Sequence, residues 1–281
     1  MKKIIRILIK QLRKNKMLKR ILYHIISFFF RMRITKVAGL ENIPKNRACI
    51  LVSDHISYLD GPSLGSVFFK RTKRYLFFLT HKDVYKSFSL LSDLLGMIPA
   101  TPEGVNKAID LLNQGESIII FPEGGINTED ILKRAHTGFV RIDLVMVEKK
   151  VPVIPVGITG PTSESPTDGL KFLLLPHLRK KQICIRFGEP IKLWKYTHVE
   201  DRFIPILNKK IKKYEIPARM SEELQEDADM IMKKISQLSG KAYPFKVIRK
   251  KERWFISVWS NIQRIYINLK KRFNKRSEYN S

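Results

Sequence analysis

Between residues 48 and 187 the chain repeats one pattern: a short run apolar on both faces, followed by a stretch whose apolar residues recur every three or four positions. The runs at 48–53, 75–80, 117–121, 151–158 and 182–187 are rich in Ile and Val. Runs of this kind predict strands of a sheet covered by helices on both faces. Helical spacing predicts helices over 62–69, 84–95, 105–114, 137–147 and 221–238. The last has Ser221 as its N-cap, with Leu224, Ala228, Ile231, Met232, Ile235 and Leu238 along one face. The alternation predicts a single α/β domain, over residues 37–240, with a largely parallel sheet flanked by helices. Residues 160–169 read Gly-Pro-Thr-Ser-Glu-Ser-Pro-Thr-Asp-Gly, a surface loop by composition. Residues 196–218 carry no pattern that places them.

Both ends follow a different rule. In the first 36 residues Ile4, Ile5, Leu8 and Ile9, then Leu18, Ile21, Leu22, Ile25, Ile26 and Phe29, keep helical spacing between Lys and Arg. The longest apolar stretch there, residues 21–30, contains His24 and is half of what a bilayer span needs. The segment Phe28-Phe29-Phe30-Arg31-Met32-Arg33 lacks the small residues of a signal cleavage site. A basic amphipathic helix lying in a membrane interface is the expectation. The competing reading packs that stripe on the core. Residues 241–281 repeat the theme, with Trp254, Val258, Ile262, Ile265, Tyr266, Leu269 and Phe273 among dense Lys and Arg. Trp254, Trp259 and Tyr266 suit an interface with one wet side and one apolar side.

Charge sharpens this picture. The formal net charge is +27 over 281 residues. Residues 1–36 hold twelve Lys or Arg and no acid, and residues 241–281 hold twelve against Glu252 and Glu278. Only +5 is left for residues 37–240. The arms therefore expect an anionic partner. No nucleic-acid recognition motif accompanies the basic residues, so the anionic phospholipid surface is the expected partner and nucleic acid is not. Peripheral attachment at the cytoplasmic face of a membrane follows. Cys49 and Cys184, the two cysteines, both lie in apolar runs and read as buried reduced thiols. No metal motif or cofactor fingerprint is present.

Two motifs carry chemistry. Ser53-Asp54-His55-Ile56-Ser57-Tyr58-Leu59-Asp60 follows the first strand, and Phe121-Pro122-Glu123-Gly124-Gly125 follows a middle one. Strand ends are where α/β folds place their sites. An imidazole takes a proton from a hydroxyl best when a carboxylate holds its other nitrogen. His55 and Asp60 form that pair if the chain turns between them, and Gly61-Pro62 marks a loop entering a helix. By itself the spacing is also what six histidines produce by chance. Glu123 reads equally as a carboxylate that fixes a tight turn and as a group that binds a substrate hydroxyl, with Gly124 permitting close approach.

The set is more specific than its parts. His-x4-Asp, then Phe-Pro-Glu-Gly, then Val151-Pro152-Val153-Ile154-Pro155-Val156-Gly157, in this order, resembles the glycerolipid acyltransferase family, and in kind the 1-acylglycerol-3-phosphate acyltransferases. Val37-Ala38-Gly39-Leu40-Glu41-Asn42-Ile43-Pro44 and Phe187-Gly188-Glu189-Pro190-Ile191 extend the likeness over about residues 36–240. The resemblance implies that His55 deprotonates an acceptor hydroxyl with Asp60 orienting it, and that the alkoxide attacks the thioester of an acyl-CoA or acyl carrier protein. It implies no covalent acyl-enzyme and no further cofactor. It places Glu123, Gly124 and Lys82 at the acceptor and Pro155 at the acyl donor.

Three departures stand out. Asp54 replaces the family's usual Asn. Gly96-Met97-Ile98-Pro99-Ala100-Thr101 lacks the second motif's Arg, and Gly125-Ile126-Asn127 lacks that of the third. Those arginines usually face the acceptor's phosphate, so Lys133, Arg134 or Arg141 is expected to replace them, with Arg134 the preferred candidate. The expected acceptor is a lysophospholipid, 1-acyl-sn-glycerol-3-phosphate first. Another lysophospholipid, a phosphate-free alcohol, or a non-catalytic membrane protein of the same fold are the rivals.

Overall fold

In the computed structural model the described residues are 15–87, 92–146, 149–162, 183–191, 193 and 218–245. A helix, α1 (Lys16–Arg31), precedes the strand β1 (Ile34–Ala38) and a 3-10 turn at Leu40–Asn42. There follow β2 (Ile50–Ser53), α2 (Asp60–Thr72), β3 (Leu76–Thr80), α3 (Lys82–Ser87), α4 (Ser92–Leu95), β4 (Met97–Pro99) and α5 (Pro102–Asn113). Then come β5 (Ser117–Ile120), α6 (Gly138–Val145), β6 (Val153–Thr159), β7 (Ile183–Phe187) and α7 (Ala218–Ser239).

The strands form one seven-stranded sheet in the order β1-β7-β6-β2-β5-β3-β4. Every pairing is parallel except β6 with β7. The expected α/β architecture with a largely parallel sheet is therefore the one observed. Side chains on β2 alternate between two cores, as pleating demands. Ile50 and Val52 meet Phe139 and Val140 of α6 and Leu224, Ala228 and Ile231 of α7, while Cys49 and Leu51 meet Leu64, Val67 and Phe68 of α2.

Several expectations shift. β1 starts at Ile34, so the domain begins inside the segment assigned to the basic arm, and Lys241 to Phe245 pack on the domain rather than starting a separate one. The strand β4 was not anticipated. Residues 82–95 hold two short helices rather than one. α7 starts at Ala218, so Ser221 lies within the helix and is not its cap. Cys49 is buried, and burial pushes its thiol up to about 11, whereas Cys184 is only half-buried. Most of the C-terminal arm, the first fourteen residues and most of the 160–169 loop lie outside the described residues.

One side of α1 packs on the domain and the other does not. Tyr23 and Phe30 are buried, and the Tyr23 ring meets Phe69 of α2 edge-on at 4.9 Å between centroids. Yet Met17, Leu18, Ile21, Ile25, Phe28, Phe29 and Met32 are exposed. The helix is thus anchored on one side and presents a second apolar face to solvent. Among the described residues no helix is long and apolar enough to cross a membrane.

Candidate functional site

Because β2, β3 and β5 are parallel neighbours, their carboxyl ends share one edge of the sheet. His55 follows β2, Lys82 follows β3, and Glu123 follows β5.

The chain leaves β2 at Ser53 and tightens into a turn in which the Asp60 amide donates to the Ser57 carbonyl at 3.1 Å. That turn brings Asp60, the first residue of α2, back over the preceding loop. One carboxylate oxygen, Oδ2, accepts from the backbone amides of Ile56 (2.7 Å) and Ser57 (2.8 Å) and meets His55 Nδ1 at 2.8 Å. With both amides donating to Oδ2, the tautomer that carries its proton on Nδ1 donates the third bond to the same oxygen, and that tautomer leaves Nε2 as the base. Asp60 is 3% exposed and His55 19%. The imidazole stacks on the Phe121 ring, with centroids 4.0 Å apart and planes 18° from parallel. The ring is therefore fixed at its edge by Asp60 and at its face by Phe121. The likeness to a hydroxyl-activating dyad is thus geometric as well as sequential.

Glu123 is 6% exposed, and its two oxygens differ. Oε2 accepts from Asn127 Nδ2 at 2.6 Å and from the Lys133 amide at 2.9 Å. Oε1 is buried with no hydrogen-bond partner among the described residues. One oxygen fixes the loop, and the other is left able to accept a hydrogen bond. Gly124 has φ +77°, and a Cβ there would lie 2.9 Å from His136 Cδ2 and Nε2. A side chain at this position would be strained by the backbone and would crowd the His136 ring.

The other expected residues distribute unevenly. Lys82 is exposed at the start of α3, on the same sheet edge. Arg134 is half-exposed and pairs with Asp229 on α7, Nη2 to Oδ2 at 3.1 Å, while its guanidinium lies 5.8 Å from the centre of the Phe245 ring. The same Asp229 accepts from Tyr243 (2.6 Å) and Gln225 (2.8 Å). Pro155 is buried within β6, opposite Val52, and its carbonyl accepts from the Gly188 amide at 2.8 Å.

Two residues escaped the sequence reading. Asn127 joins the motifs: its amide donates to the His55 carbonyl at 2.7 Å while its side chain holds Glu123. Its position in a loop gave no periodic signal. Phe121 stood at the head of the Phe-Pro-Glu-Gly motif with no role of its own, and its stacking on His55 depends on β2 and β5 being neighbours. Among the described residues no cluster of three or more His, Cys, Asp or Glu could hold a metal ion.

A family model described as Acyltransferase matches residues 34–159. The chain is 23% identical over 194 residues to the 1-acyl-sn-glycerol-3-phosphate acyltransferase of Bacillus subtilis (strain 168), covering 64% of this chain and 87% of that protein. Among solved structures it resembles the 1-acyl-sn-glycerophosphate (LPA) acyltransferase PlsC from Thermotoga maritima, at 22% identity and a TM-score of 0.47, over 68% of this chain and 77% of that one.

Proposed function

We propose that the chain, whose residues 34–159 match a family model described as Acyltransferase, transfers a fatty acyl group from a thioester to the free hydroxyl of 1-acyl-sn-glycerol-3-phosphate, forming phosphatidic acid. The observation that carries this reading is the His55–Asp60 pair, pinned by two backbone amides and facing the sheet edge that also bears Glu123. His55 Nε2 removes the acceptor's hydroxyl proton as the oxygen attacks the thioester carbonyl carbon. Asp60 stabilises the imidazolium that forms. Backbone amides stabilise the oxyanion, the carbon–sulfur bond breaks, and the imidazolium returns its proton to the departing thiolate. Glu123 lies on the acceptor side of the same sheet edge. Lys82 supplies positive charge for the phosphate. The donor is an acyl-CoA or an acyl carrier protein thioester, and no other cofactor enters.

We also propose that the protein works as a peripheral protein on the cytoplasmic face of an anionic membrane. The apolar face of α1 from Met17 to Met32 and the two basic arms support that reading.

One observation favours a second acceptor class. Ile126, which has no charge, stands where the resemblance leads one to expect an arginine, and Arg134 is committed to Asp229. Another lysophospholipid or a phosphate-free lipid alcohol would need neither cation. The deciding experiment is transfer from labelled acyl-CoA in anionic vesicles to 1-acylglycerol-3-phosphate, a lysophospholipid and a phosphate-free lipid alcohol, each with His55→Ala alongside. Phosphatidic acid from wild type alone supports the first acceptor. Product from another acceptor alone reassigns it. Transfer by His55→Ala at the wild-type rate sinks the mechanism.

A further inference from the structure

Asp54, next to the base in sequence, is fully buried. Its Oδ1 accepts from the Ile158 amide at 2.8 Å, and its Oδ2 lacks a hydrogen bond but lies 3.6 Å from Lys241 Nζ. Lys241 is itself 11% exposed and donates to the Asn127 carbonyl at 3.3 Å. Asn127 in turn bonds the His55 carbonyl and the Glu123 carboxylate. We propose that Lys241 is a positioning residue of the catalytic centre: its ammonium, held between Asp54 and the Asn127 carbonyl, fastens the His55 loop to the Glu123 loop. The inference rests on the reading of His55 as the base.

The approach of Lys241 is built into the backbone. Gly240, at φ +79°, turns the chain out of α7. Ser236 Oγ then donates to the Lys241 carbonyl at 2.6 Å. The Ala242 amide donates to the Asp130 carbonyl at 2.9 Å, and the Ala242 carbonyl accepts from the Leu132 amide at 2.9 Å. These bonds seat residue 241 on the 130–132 segment, which continues into the loop anchored by Glu123. Lys241 lies outside residues 34–159, and its partner is an aspartate at the position where the resemblance leads one to expect Asn.

Charge gives the arrangement its consequence. Burial pushes the Asp54 carboxyl up to about 7; the Ile158 amide and Lys241 work against that rise, and Asp60 and Glu123 add to it. A neutral residue at 241 leaves a buried carboxylate unpaired beside the base at alkaline pH, and at acid pH Asp54 neutralises itself by taking a proton.

The test compares wild type, K241M, D54N and D54N/K241M as full-length proteins at about pH 6 and pH 8.5. It reads acyl transfer and amide hydrogen exchange over residues 123–128. K241M should lose about tenfold in kcat at the higher pH and less at the lower, with KM for acyl-CoA unchanged and exchange accelerated, a coupling in the usual range for contacting groups. D54N/K241M, with no buried charge left unpaired, should recover most of both. K241M with wild-type kcat and exchange at both pH values, or a double mutant no better than K241M, overturns the proposal. If K241M does not fold, a folded and active double mutant demonstrates the same coupling, and an unfolded one overturns it. A wild type inert with every acceptor refutes the acyl-transfer reading instead, and the exchange data then decide this one: accelerated exchange in K241M, reversed in the double mutant, supports it, and unchanged exchange overturns it.

Discussion

Asp60→Asn separates charge from geometry at the catalytic pair. The Asp60 Oδ2 atom accepts three N–H groups at 2.7 to 2.8 Å, from His55, Ile56 and Ser57. The single carbonyl oxygen of Asn can occupy that place and keep the turn, at a loss of about 1 kcal/mol per bond as charged acceptors become neutral. What disappears is the negative charge facing an imidazolium that exists only during reaction. Two unit charges about 4 Å apart at an effective dielectric near 20 attract by about 4 kcal/mol. The partial exposure of His55 and the residual amide dipole reduce this to roughly 2–4 kcal/mol, a fall in kcat of about 30- to 1,000-fold. If the amide turns its NH2 group toward His55 instead, Nδ1 must accept, Nε2 holds the proton, and the loss grows toward about 10⁴-fold. Initial rates of acyl transfer at saturating donor, with circular dichroism to verify folding, measure the effect. A folded Asp60→Asn enzyme keeping more than about a third of the wild-type kcat would refute this reasoning.

Other predictions follow from features away from the pair. Burial, with Asp227 nearby, pushes the Asp143 carboxyl up to about 8, and neither of its oxygens has a hydrogen-bond partner among the described residues. Because an unfolded Asp ionises near 3.9, the folded state keeps a proton the unfolded chain has lost, and stability falls as pH rises from about 4 to about 8. Asp143→Asn should therefore raise the stability measured by thermal melts more at pH 8 than at pH 5, by an amount on the order of a few kcal/mol; equal gains at both would contradict the assignment. Gly124→Ala forces a Cβ into φ +77° and against His136, and should destabilise the protein by about 1–2 kcal/mol in thermal melts while lowering transfer. Phe28→Ser with Phe29→Ser, on the exposed face of α1, should weaken co-sedimentation with anionic vesicles by tenfold or more, since each ring contributes about 1.5–3 kcal/mol when buried in lipid; unchanged partitioning would remove that face from the membrane reading. Removing residues 246–281 should weaken vesicle binding most at low salt, because charge supplies part of it.

What could be read from residues alone was whatever is local. β2, β5, β6 and β7 were recognisable because strands covered on both faces are apolar throughout. The short strand β4 has three residues, too few for any period, and β1 (Ile-Thr-Lys-Val-Ala) is a half-exposed edge strand embedded in basic sequence, so it passed for part of an arm. The His55–Asp60 bond was legible because a single turn closes it. Its supports were not, since Phe121, Asn127 and Lys241 reach His55 and Asp54 only through the order of strands in the sheet. Arg134 was expected at the acceptor from its place in the chain, yet the structure pairs it with Asp229, an interaction spanning 95 positions that no local pattern announces.

The edge of the sheet carries an implication for how the protein is made. Among the described residues β1 pairs only with β7, and its register joins Ile34 to Ile183. Of the seven described strands a ribosome releases β1 first and β7 last, so β1 has no partner until about 150 further residues have followed. Strands β2 to β6 and the loops bearing His55 and Glu123 are complete before then. The catalytic half can thus assemble during synthesis while an unpaired edge waits, a natural place for a chaperone to hold the nascent chain.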